Sequence, residues 1–140
     1  MSEKLEQSSI LLLPEYHQAI EKFLKFDELN MKDVQMSLAS VRHYWVGRLM
    51  FHKQQIIKLK KYKNKVYKTL KEKLEQESPI ELKASTVNNS IINHEAYLKI
   101  DEEIANEELL VEYLTKVEMN FRDAQYGLNN LTKIITLETT

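Results

Sequence analysis

The chain has 140 residues, enough for one domain with a moderate core, and a formal net charge of −1. It has no cysteine, which excludes disulfides, thiolate catalysis and sulfur-ligated zinc or iron–sulfur sites. Two glycines and two prolines leave almost nothing from which to build hairpins or phosphate-cradling loops, so an all-α fold is expected.

Residues 1–14 read as an N-terminal tail. Its apolar stretch, Ile10 to Pro14, is far short of the roughly 20 residues that span a bilayer, and it lacks the basic start and cleavage site of a signal peptide. A soluble, intracellular protein is expected. From Glu15 to Phe26, Tyr16, Ala19, Ile20, Phe23 and Leu24 recur at three and four, which predicts a short amphipathic helix. Asn30 is placed to cap the next helix, with Asp33 three residues on.

Residues 15–78 form a helical region dominated by one long helix. Val34, Leu38, Val41, Trp45, Leu49, Ile56, Leu59, Val66, Leu70 and Leu74 keep close to a spacing of about 3.5, interrupted at His52 and Lys63. Such a helix suggests a rod or coiled coil, with Gly47 as a candidate kink. Ser78–Pro79 should stop it, and residues 79–93, rich in Ser, Thr and Asn, form a connector with room for one short helix. Asn93 is placed to cap the C-terminal helix.

Residues 94–137 form a C-terminal helical region. Leu110, Leu114, Val117, Phe121, Ala124, Leu128, Leu131 and Ile135 step by four and three without a break, which is a heptad seam. One reading places that seam in the core of a monomeric bundle. A second register beside it, Tyr113, Asn120, Gly127 and Ile134, widens the face enough for two neighbours and points to self-association.

The near-neutral total charge conceals a strong segregation. Residues 1–50, 51–73 and 74–140 carry net charges of −1, +8 and −8. The basic segment includes "KLKKYKNKVYKTLKEK", residues 58–73, in which Lys58, Lys61, Lys65 and Lys68 line one helical face opposite Ile56, Leu59, Val66, Leu70 and Leu74. With Lys60, Lys63 and Lys71, and with Tyr62 at the boundary where a base could stack, these lysines are candidates for contact with a phosphate backbone. Tyr67 falls on the apolar side.

A solvated helix face usually interleaves glutamate with its lysines, but here Glu72 stands alone. Something should neutralise the charge: nucleic acid, an anionic membrane face, or the acidic segment after residue 74. The membrane is the weaker choice, because the opposing apolar stripe is narrow and lacks the aromatic residues of an interfacial helix. Lysine alone supports sequence-tolerant tracking of a backbone, and a single strand is the simplest target.

No other constellation carries chemistry. His17 and Glu21 read as a surface pair, His43, His52 and His94 have no evident carboxylate or thiol partners, and Asp101 to Glu103 give only a faint hint of a metal. There is no HExxH, Walker or GxGxxG pattern, so no enzyme, metal or cofactor is expected. The alternative to a nucleic-acid binder is a coiled-coil structural or scaffold protein whose basic helix pairs with an acidic protein surface.

Taken in order, "HYWVGRLMFHKQQIIKLKKYKNKVYKTL" and "YLKIDEEIANEELLVEYLTKVEMNFRDAQYGLNNLTKII" resemble the UvsY family of phage recombination mediator proteins, over about residues 30–137. The resemblance implies a nonenzymatic protein, in the cytoplasm of the infected host cell, that binds single-stranded DNA. It further implies partnership with a phage single-strand-binding protein and a RecA-like recombinase of the UvsX type, which such a mediator loads. Assembly would be a hexameric or heptameric ring held by the C-terminal helices. The family's Lys-x-Arg contact is matched at Lys68, whereas Leu70 stands at the arginine position with Lys71 beside it.

Overall fold

The computed structural model describes residues 12–22 and 31–139. The regular structure among them is helical: α1 over residues 12–22, α2 over Met31–Glu77, α3 over Ala84–Ile92 and α4 over Glu95–Thr139. Phe23 and Leu24 of the predicted first helix and the cap at Asn30 lie outside the described residues.

Two boundaries differ from the sequence reading. The chain is already helical at Leu12, whose side chain and that of Leu13 pack partly buried against the core, so the last residues of the expected tail belong to α1. Pro14 lies in the first described turn of α1. At the other boundary His94, not Asn93, caps α4: its Nδ1 accepts the Ala96 N–H at 3.1 Å. Asn93 closes α3 instead, returning its backbone N–H and its side-chain amide to the Asn89 carbonyl at 3.3 and 2.8 Å.

Helix α2 runs unbroken through Gly47 for 47 residues, about 70 Å at the usual helical rise. It stops at Glu77 because Pro79 disfavours helical dihedrals at Ser78, whose hydroxyl turns to the Ile80 carbonyl at 2.6 Å.

The chain forms two compact units, one from the residues up to Phe51 and from Leu110 onward, the other from His52 to Leu109. Each long helix is divided between them.

In the first unit Tyr16 and Ile20 of α1, Leu38 and Trp45 of α2, and Leu110, Leu114, Val117, Phe121 and Leu128 of α4 make one buried cluster. Tyr16 meets Trp45 edge to face at 5.0 Å between ring centres, a favoured aromatic geometry. The Tyr16 hydroxyl accepts from Arg48 Nε and Nη2 at 3.0 and 2.7 Å, so its polar end is satisfied at the edge of the core.

In the second unit Val87 and Ile91 of α3 are buried, as are Ile100 and Ile104 of α4. His52 and Gln55 of α2 and Glu103 and Glu107 of α4 are buried too. His52 Nδ1 lies 2.6 Å from Glu107 Oε2, which gives His52 the carboxylate partner that its sequence neighbourhood did not reveal. Burial of both groups is tolerable because each satisfies the other.

Candidate nucleic-acid interface

The basic segment lies entirely within α2, so the helical projection holds: Lys58, Lys61, Lys65 and Lys68 are exposed, and Leu59, Val66, Leu70 and Leu74 are half-buried. Among the described residues, Lys58, Lys61, Lys65, Lys68 and Lys71 take part in no ion pair. Five like charges on exposed stems can follow a polyanion while keeping their heads in water.

Two further lysines of the segment, Lys63 and Lys60, meet carboxylates of α4. Lys63 is half-buried, ion-paired with Asp101 Oδ1, and stands 4.9 Å over the Tyr97 ring. The Asp101 hydrogen bond raises its pKa above the usual lysine value, outweighing the burial that opposes the charge. Lys60 reaches Glu108 at 4.0 Å, with both side chains more than half exposed. An exposed pair at that distance is weak and can be exchanged for a phosphate.

Tyr62 is 52% exposed, so its ring is accessible to a base. Tyr67 is half-buried, donates to Asn88 Oδ1 at 2.9 Å and meets Tyr97 edge to face at 6.3 Å, which makes it a packing residue joining α2, α3 and α4. Leu70 lines an apolar recess with Leu74 and Ile91. The nearest exposed cation to that position in sequence is Lys71.

The acidic segment after residue 74, one of the three candidates for neutralising the charge, takes up Lys60 and Lys63. Asp101 and Glu108 belong to the acidic run 101–108, and the charge balance of the two segments was the available signal. Which lysine faces it is decided by packing. Among the described residues no three His, Asp or Glu side chains converge on a metal-sized site, and Asp101 is occupied by Lys63.

The heptad seam of α4 is already covered within the chain. Leu110, Leu114, Val117, Phe121 and Leu128 are buried in the first unit, and Ala124, Leu131 and Ile135 are half-buried. Apolar side chains that remain exposed on this helix include Leu109, Met119, Tyr126, Ile134 and Leu137. No helix among the described residues is long and apolar enough to cross a membrane.

No family model and no curated protein matches the sequence. Solved structures do. The recombination mediator protein UvsY of bacteriophage T4 superposes with a TM-score of 0.76 at 12% identity, over 90% of this chain and 98% of that one. The chain has the UvsY fold. Two further lattices of T4 UvsY give TM-scores of 0.75 and 0.73 at 11% and 10% identity, again covering 98% of the UvsY chain. The UvsY fold therefore extends over nearly the whole sequence, although few residues are shared. A core specified by the period and volume of its apolar positions permits that divergence.

Proposed function

We propose that this chain is a homo-oligomeric recombination mediator acting in the cytoplasm of a phage-infected cell. It binds single-stranded DNA and loads a RecA-like recombinase of the UvsX type onto DNA covered by single-strand-binding protein. The observation that carries the reading is the near end-to-end UvsY fold. The exposed stripe of lysines on α2 supports it, because this charge has no ion-pair partner among the described residues.

In this mechanism Lys58, Lys61, Lys65, Lys68 and Lys71 neutralise successive phosphates and Tyr62 offers a stacking face. Lysine contributes point charge without reading base edges, so binding is tolerant of sequence. Several copies in a ring multiply a weak single contact through effective concentration. Because the seam of α4 is used internally, assembly draws on its outward apolar residues, Met119, Ile134 and Leu137.

The test is titration of a fluorescent single-stranded oligonucleotide, with a duplex of equal length beside it, at two salt concentrations. The expected result is single-strand preference, with log affinity falling by about 0.7 per log salt for each phosphate neutralised. Replacing Lys61, Lys65 and Lys68 together by alanine should abolish binding while the variant still assembles. A wild-type protein that ignores the oligonucleotide at low salt would leave the stripe to an acidic protein surface, as in a scaffold.

A further inference from the structure

A second basic site, which the lysine stripe does not include, lies in the first unit. Glu118 of α4 is held by two arginines. Its Oε1 accepts from Arg42 Nε at 3.0 Å and from Arg42 Nη2, and its Oε2 accepts from Arg122 Nη2 at 3.1 Å. One carboxylate shared by two guanidiniums leaves one net positive charge. It also leaves N–H donors over: Arg122 uses Nη2 alone among the described residues, and its side chain is 55% exposed.

These groups do not lie on a flat surface. Arg42, Arg122, Gln125, Tyr126 and Asn129 line a recess of about 370 Å³. Arg42 Nη1 donates to Gln125 Oε1 at 3.2 Å, which fixes the amide and leaves its N–H groups as donors. Tyr126 is 66% exposed, an aromatic face beside a guanidinium. The carboxylate is pre-committed to orienting the arginines, so an incoming anion meets donors already in place.

We infer that this recess binds one nucleotide of a single strand: a phosphodiester on the free Arg122 donors, with its unpaired base stacked on Tyr126 and its edge within reach of the Gln125 and Asn129 amides. Arginine suits bidentate contact with phosphate, and an exposed tyrosine accepts any unpaired base. An acidic peptide would use the arginines and leave the aromatic face idle. The inference rests on the single-strand-binding reading above, but it concerns different residues.

The experiment uses the full chain and a 5-iododeoxyuridine-substituted oligonucleotide of about 16 nucleotides. Affinity and its salt slope are measured for the wild type, Arg122→Ala and Tyr126→Ala, and the photoproducts are mapped by mass spectrometry. Both positions are exposed, and unchanged helicity and sedimentation of each variant exclude an effect through folding or assembly. The site predicts a Tyr126 photoproduct and about tenfold weaker binding for either variant. It also predicts a salt slope reduced by about 0.7 in Arg122→Ala and unaltered in Tyr126→Ala.

Wild-type affinity and slope in both variants, with photoproducts confined to residues 58–71, would overturn the site and leave the lysine stripe standing. No oligonucleotide binding by the wild type would overturn both. Protection of Arg122 from phenylglyoxal by a polyglutamate peptide but not by the oligonucleotide would also overturn it, giving the recess to an acidic protein.

Discussion

Glu118 shows how one side chain can tie two helices together. Its three charge-assisted hydrogen bonds, to Arg42 of α2 and Arg122 of α4, lower its pKa below the usual carboxylate value. The Arg42 bond is the largest cause, and partial burial opposes it. Because the folded pKa is depressed, the stabilisation is present above the ordinary carboxylate range and is lost as pH falls through the folded value. We predict that Glu118→Gln lowers stability by about 1–2 kcal/mol at neutral pH. The gap between variant and wild type should close on acidification below about pH 4. Urea midpoints at pH 7 and pH 3 measure both. An undiminished gap at pH 3 would assign the effect to packing.

His52 and Lys63 are a different case at the same scale. Both interrupt the apolar spacing of α2 and would read as defects there. Each meets an α4 carboxylate instead, Glu107 and Asp101 respectively. Polar groups at core-facing positions with designated partners favour one register of two long helices over its neighbours.

The two long helices contain one glycine each, and neither glycine is required by the backbone. Gly47 and Gly127 lie in helix interiors without positive φ, and a Cβ added at either would meet nothing within 4 Å. Glycine lowers helix stability relative to alanine by roughly 0.5–1 kcal/mol, mostly through the entropy of the unfolded chain. Gly47→Ala and Gly127→Ala should each raise the unfolding free energy by about that amount, read from thermal or urea unfolding. If Gly127→Ala instead weakens assembly in sedimentation, the open space beside it is where a second copy approaches. That outcome would assign the second register on α4, which includes Gly127 and Ile134, to an interface.

For the whole molecule, the decisive feature is how the chain distributes its apolar surface. The seam of α4 fills the core shared with α1 and α2, so Leu114→Asp would place a charge in a site 2% exposed and unfold the unit rather than separate subunits. The informative substitutions are outward: Ile134→Asp with Leu137→Asp, at side chains 52% and 76% exposed. We predict that this pair disperses the oligomer in sedimentation velocity while leaving helicity unchanged, and weakens single-strand binding through lost effective concentration. An assembly that survives the pair places the contact elsewhere.

Much of this architecture was legible in the sequence because it is local. The near absence of glycine and proline, the three-and-four spacing of apolar residues and the stop at Ser78–Pro79 all act within a few residues of chain. They specify long helices, the side of α2 that carries lysine and the side of α4 that carries the seam. Periodicity states that a face is apolar, but not whether it meets another part of its own chain or a second copy. The burial of Leu110 to Leu128 against Tyr16 and Trp45 was therefore decided only by tertiary structure. The same holds for side chains whose partners are remote in sequence: Glu107 for His52, Asp101 for Lys63, and Glu118 between Arg42 and Arg122. The sequence by itself determined the helices and the separation of charge along them, since both depend on neighbours in the chain. Only the fold decided which lysines remain for a ligand and which apolar faces remain for a partner, because both depend on what packing has already used.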